Sequence, residues 1–262
     1  MIRAIIFDLD NTLTDFMKMK GAAIDAALDG MVDAGLTVSR EVLREHIWRV
    51  YNDRGIEYQQ VFDQALMDAV GTIDPRVLAA GIVAYRRARE STLVLYPHVQ
   101  YTVLGLLKRG LKLAVVSDAP RNQVWLRLAS LQLHDHFDVV VTFDDTHARK
   151  PSPEPFRMAL ERLGVTPDEA LMVGDWAERD VVGAAQVGIR TVFARYGDTF
   201  GTVESGADFD VNDIIELLDI TDRLNDRPIE KRPTVVTDLP EGPPAPRPPG
   251  ISQAAAARSR PR

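Results

Sequence analysis

The stretch IRAIIFDLDNTLTD, residues 2–15, decides the fold. An apolar run from Ile2 to Phe7 ends abruptly in two carboxylates, Asp8 and Asp10, separated by one residue. Such a run reads as a strand buried on both faces, as in a parallel sheet. Residues two apart on an extended chain share a side, so the two aspartates project together from its carboxyl end. Ligands of open α/β sheets bind at that end. Alone, the pair equally suits turn-forming or helix-capping aspartates, and the surrounding chain must decide.

Outward from this segment, four more short apolar runs read as buried strands: Leu113 to Val116, Val139 to Phe143, Leu171 to Val173 and Thr191 to Ala194. Helical patterns accompany them at Val99 to Lys108, Asn122 to Leu131, Glu154 to Leu163 and Val181 to Val187. The alternation predicts an α/β fold, a Rossmann-like parallel sheet with helices on both faces. Residues 16–92 break the rhythm. They carry about four amphipathic helices, with apolar stripes such as Ile24, Ala27, Leu28 and Met31, and the fourth opens on Asp74 as N-cap and Pro75 at N1. The expected organisation is a core of residues 1–15 and 93–222 with an all-helical insertion at 16–92. Trp48, Tyr51, Tyr58 and Phe62 in that insertion are expected to pack in its core.

Composition narrows the chemistry. The 262 residues contain no cysteine, so any catalytic metal must sit on oxygen or imidazole. The net charge is -7, yet residues 223–262 hold eight Lys/Arg against four Asp/Glu, which leaves the first 222 residues at -11. A body that acidic repels nucleic-acid backbones. No apolar run is long enough to span a membrane and no secretory signal opens the chain, so a cytoplasmic location is expected. Nine of the sixteen prolines lie in residues 223–262, a composition expected to stay disordered with local polyproline character. That tail is read as an unstructured extension, with a weak proline-motif contact as the other reading.

Polar residues recur where the other strands end. Ser117 and Asp118 close LAVVSD, Lys150 follows VVVTFDDTHAR, and Gly174 and Asp175 close LMVGD with Asp180 five residues on. Asp8 and Asp175 can hold a hard divalent cation, with Mg2+ the natural occupant. Ser117 supplies a hydroxyl donor, Lys150 a point charge, and main-chain N–H groups near Leu9, Asp10 and Asp118 complete a phosphate cradle. One carboxylate is then left to attack phosphorus while a second exchanges protons with the leaving oxygen and with water.

These motifs resemble those of the haloacid dehalogenase-like superfamily, over about residues 1–215. Asp8, Asp10 and Thr12 match its first motif, Ser117 its second, Lys150 in RKPSPEPF its third, and Asp175 and Asp180 in GDWAERD its fourth. The resemblance implies Asp8 as nucleophile and metal ligand, and Asp10 as general acid/base and ligand through its carbonyl. It places Thr12 and Ser117 at the phosphoryl group and Lys150 between nucleophile and phosphate. Asp175 becomes the second carboxylate ligand, with Asp180 behind it. The insertion looks like the helical C1 cap of the first subfamily, in its phosphatase branch.

The expected function is therefore a magnesium-dependent phosphatase of a small phosphorylated metabolite. Phosphomutase is the alternative sharing every motif, followed by a 2-haloacid dehalogenase, against which Asp10 argues, and a non-catalytic binding protein. Trp176 after GD is expected to pack under the cap, Lys18 and Lys20 to be solvated on the cap surface, His134 and His136 to lie in a surface loop, and Asp144 and Asp145 in a loop or turn.

Overall fold

The computed structural model describes residues 1–226. Six strands form one sheet in the order β3-β2-β1-β4-β5-β6, parallel throughout. They are β1 (Ala4–Phe7), β2 (Lys112–Val116), β3 (Val139–Val141), β4 (Ala170–Gly174), β5 (Arg190–Ala194) and β6 (Phe209–Val211). Strand β1 is central: Phe7 pairs with Val115 of β2 on one side and Val173 of β4 on the other. The chain steps outward from β1 to β3 and then returns across β1 to β4, so connections diverge above the end of β1. That divergence opens a crevice at the carboxyl ends of β1, β2 and β4.

Alternation along the strands feeds two apolar layers. Ile5, Phe7, Leu113 and Val115 face a cluster completed by Val103, Leu128 and Leu217. These come from α5 (Val99–Lys108), α6 (Arg121–Ser130) and α10 (Glu216–Leu224). Ala4, Ile6, Ala114 and Met172 face the other way, against Phe156, Ala159 and Leu160 of α8 (Glu154–Leu163) and Ala184 of α9 (Val182–Ala185). Phe7, Phe156 and Phe193 are wholly buried, each worth roughly 1.5–3 kcal/mol of burial free energy.

Between β1 and α5 stand four helices: α1 (Phe16–Asp33), α2 (Arg40–Arg54), α3 (Val61–Val70) and α4 (Pro75–Thr92). They enclose their own apolar cluster, which includes Ile24, Leu28, Met31, Ile47 and Phe62. Asp74 caps α4, accepting from Arg76 N at 2.8 Å. Tyr51 and Phe62 are buried, while Trp48 and Tyr58 are only partly covered. Among the described residues, no helix is long and apolar enough to cross a membrane.

Three details depart from the sequence reading. Strand β3 stops at Val141, and Phe143 opens a single turn, α7 (Phe143–Thr146), in which Asp145 closes a capping box with Thr142. Strand β6 and helix α10 carried no recognised signal. The core also runs past residue 222: the Asn225 side chain brackets Ile2, accepting from its N–H at 2.6 Å and donating to its carbonyl at 2.9 Å. Residues 227–262, with the rest of the expected tail, lie outside the described residues.

Candidate active site

The turn after β1 places the first two carboxylates. Asp8 continues the ladder, donating from its N–H to the Val173 carbonyl at 2.8 Å. Asn11 then takes a left-handed conformation at φ 63°, a region Asn tolerates, and its N–H closes on the Thr14 carbonyl at 2.7 Å. Asp8 is buried and Asp10 partly so, both lining a cavity of about 940 Å3 with Ser117, Lys150, Asp175 and Asp180. Four separate chain segments thus converge on one crevice.

Lys150 ties the centre together. Its ammonium, 5% exposed, donates to Asp8 Oδ1 and to Asp180 Oδ1, the latter at 2.6 Å. Burial alone would lower the Lys150 pKa, but Asp180 and Asp8 more than reverse this and hold it charged. Its main-chain N–H donates to Asp118 Oδ1 at 2.9 Å, and Arg179 donates to Asp118 Oδ2 at 3.2 Å. The Asp118 carboxylate therefore anchors the lysine loop. The Ser117 hydroxyl lies buried at the end of β2 and accepts from Ala119 N at 3.2 Å.

Thr12, expected to support or bind the phosphoryl group, lies beside a second carboxylate. It is wholly buried and its hydroxyl donates to Asp175 Oδ1 at 2.9 Å. This bond fixes one oxygen of the Asp175 carboxylate. Asp180 sits in a π-turn, Ala177–Val181, with its N–H on the Trp176 carbonyl at 2.7 Å and its Oδ2 accepting from Trp176 N at 3.1 Å.

One carboxylate oxygen each from Asp8, Asp175 and Asp180 lies within 4.8 Å of the others. This all-oxygen, excess-anionic donor set suits a hard divalent cation. Burial pushes the Asp175 carboxyl up to about 9, with Asp8 and Asp180 adding to the rise. Burial likewise raises Asp8 to about 7, against the Lys150 ammonium. Crowded carboxylates of this kind bind protons in place of a metal.

Asp10 is held differently. Arg127 Nη1 donates to its Oδ2 at 2.7 Å, whereas Oδ1 is buried without a hydrogen-bond partner. Burial raises this carboxyl to about 6, in spite of Arg127. The sequence reading missed Arg127. Its only signal was a charge among Val124, Leu128 and Leu131 on the apolar face of α6. It also missed Tyr196, whose hydroxyl donates to the Thr12 carbonyl at 2.9 Å.

The remaining polar residues fall as follows. Lys18 is exposed. Lys20 is not solvated as expected: it is 5% exposed, donates to the Ile56 carbonyl at 2.9 Å and lies 4.3 Å over the Tyr51 ring. Trp176 packs with Arg179, 3.7 Å from its ring centroid, and with Phe200, whose ring centroid is 4.4 Å away. Trp176 is partly buried, and neither of these partners belongs to the 16–92 insertion. His134 is exposed, 3.4 Å from Asp135, and Asp144 accepts from Arg121 N at 2.5 Å.

Residues 2–188 match the family described as haloacid dehalogenase-like hydrolase. The chain belongs to this haloacid dehalogenase-like hydrolase family. Within it, the chain is 32% identical over 227 residues to a glyceraldehyde 3-phosphate phosphatase of Methanocaldococcus jannaschii, covering 86% of this chain and 99% of that protein. It is 32% identical over 238 residues to a phosphoglycolate phosphatase of Salmonella typhi, covering 83% and 92%. A crystal structure of an HAD phosphatase from Thermococcus onnurineus superposes with a TM-score of 0.65 at 28% identity, over 84% of this chain and 98% of that one. The matched span includes all four strand ends that build the crevice.

Proposed function

We propose that this hydrolase is a Mg2+-dependent phosphomonoesterase of a small phosphorylated metabolite, working through an aspartyl phosphate on Asp8. The observation that carries the reading is Asp10, with one oxygen fixed by Arg127 and the other buried, unpartnered and able to hold a proton. A displacement that needs no proton has no use for such a group.

A carboxylate oxygen of Asp8 attacks phosphorus, and the ester P–O bond breaks. Asp10 gives its proton to the departing oxygen, so the product leaves as an alcohol. Water then attacks the aspartyl phosphate, Asp10 takes its proton, and the bond between Asp8 and phosphorus breaks to release phosphate. Ser117 and the main-chain N–H groups around Asp118 cradle the phosphoryl oxygens, and Lys150 offsets their charge beside Asp8. Asp8, Asp175 and the carbonyl of Asp10 would hold Mg2+; Asp180 reaches the same space and also orients Lys150. The ion, when bound, supplies charge neutralisation between carboxylates and phosphoryl oxygens. The helical insertion at 16–92 acts as a cap that excludes water and contacts the rest of the substrate.

The test is phosphate release with Mg2+ from a panel that includes glyceraldehyde 3-phosphate and phosphoglycolate, the substrates in the relatives' names. Isomerised sugar phosphate without phosphate release would instead assign a phosphomutase. Absence of turnover on every ester would sink the reading.

A further inference from the structure

The Asp10 carboxylate is joined to the helical insertion through a single guanidinium. Arg127 bonds Asp10 with Nη1 and, with Nη2, Glu57 on the loop between α2 and α3. The Arg127 side chain is 8% exposed and lies 4.5 Å over the Phe16 ring, where α1 begins. Its charge is thus shared between one carboxylate of the core and one of the insertion. Removal of either carboxylate leaves a buried cation half-compensated and free to reorient.

The Glu57 loop is tied to α1. Gly55, at φ 92°, turns the chain out of α2 in a conformation that side chains disfavour. Lys20 then holds the Ile56 carbonyl from α1. Glu57 therefore reaches Arg127 from a loop tied back to α1, and it lines the crevice beside Asp10.

We propose that Glu57 and Arg127 form a clamp through which the seated cap positions Asp10 for proton transfer. The proposal rests on the phosphatase reading, in which Asp10 is the general acid. Glu57 and Arg127 are positioning residues. With Arg127 pinned between its two partners, Asp10 Oδ2 is fixed and, with it, the orientation of the whole carboxyl group. With Glu57 neutralised, Arg127 loses its second anchor and the cap loses a tie to the core, so Asp10 is less well aimed.

The experiment compares Glu57→Gln and Glu57→Asp with the wild type, after melting curves confirm folding. Glu57→Gln should lower kcat for an alkyl phosphate about tenfold, while 4-nitrophenyl phosphate, whose leaving group needs no proton, falls less than threefold. Glu57→Asp should recover part of the loss. In an Asp10→Asn background the Glu57→Gln change should cost nothing more. A uniform loss across leaving groups, or an undiminished loss without Asp10, would overturn the proposal.

A second readout needs no turnover. Because the chain lacks cysteine, spin labels can be placed through Val42→Cys on α2 and Tyr101→Cys on α5, both exposed. The distance distribution should broaden toward longer values in Glu57→Gln. An unchanged distribution would refute the clamp, even if the wild type proved inactive on every ester and the phosphatase reading failed separately.

Discussion

Gly174 leaves open the space that the Asp180 carboxylate fills: a Cβ on residue 174 would stand 2.3 Å from Asp180 Oδ2. The glycine ending β4 is thus a steric condition for the Asp180 to Lys150 bond. Gly174→Ala should push Asp180 out, strip Lys150 of one of its two carboxylate partners and cost about 1–3 kcal/mol from overpacking. Thermal melts and phosphate-release rates on the purified variant check this. A variant with wild-type stability and rate would show that the site tolerates Asp180 elsewhere.

Asp8→Asn should abolish turnover, since an amide is neither a competent nucleophile nor an anionic ligand. The fold should survive this near-isosteric change. Removing the charge also relieves repulsion with Asp175 and Asp180, so the metal-free variant should melt no lower than the wild type at pH 8. Phosphate release near the wild-type rate would rule out Asp8 as nucleophile.

Thr12→Val removes the hydroxyl that orients Asp175 while keeping the volume. Partners behind metal ligands are typically worth ~10- to 100-fold in metal affinity. Titration with Mg2+ should therefore show weaker metal activation in this variant, with the substrate KM at saturating Mg2+ nearly unchanged. The opposite pattern, an intact metal response and a raised KM, would return Thr12 to the phosphoryl group.

Proton linkage supplies a fourth outcome. In the metal-free protein Asp8 titrates at about 7 and Asp175 at about 9, above their ordinary value of 3.8. Groups raised on folding contribute stability that is full below pH 4 and is lost as pH rises through 7 and then 9. A cation that requires both carboxylates ionised must displace their protons. Calorimetric titration with Mg2+ at pH 7 should therefore show proton release in buffers of different ionisation enthalpy. The thermal shift induced by Mg2+ should be larger at pH 8 than at pH 6. Buffer-independent heats would contradict carboxylate ligation.

The crevice-forming end of the sheet was legible because its information is local. Each buried strand announces itself as a short apolar run, and a carboxylate, serine or glycine-aspartate pair directly after such a run has few places to go except the strand's carboxyl end. Asp8, Ser117 and Asp175 are found there for that reason. The four helices of the insertion were equally readable from their apolar stripes. Strand β6 was not: three residues long and only partly buried, it lacks the continuous apolar run that marks the others, and pairing with β5 decides its form.

Partnerships across long separations were decided by the tertiary structure alone. Thr12 meets Asp175 over 163 residues, and Arg127 meets Asp10 over 117 and Glu57 over 70. No spacing or periodicity encodes such pairs, because they exist only once the sheet order and the docking of the insertion bring distant segments together. Lys20 makes the same point. On a helix of alternating character a lysine reads as solvated, yet the fold buries its ammonium between the Ile56 carbonyl and the Tyr51 ring. Residue type and local pattern determined which groups this protein could bring to its crevice. The assembled fold determined which of them touch, since burying a charge is tolerable only where the rest of the chain supplies its partner.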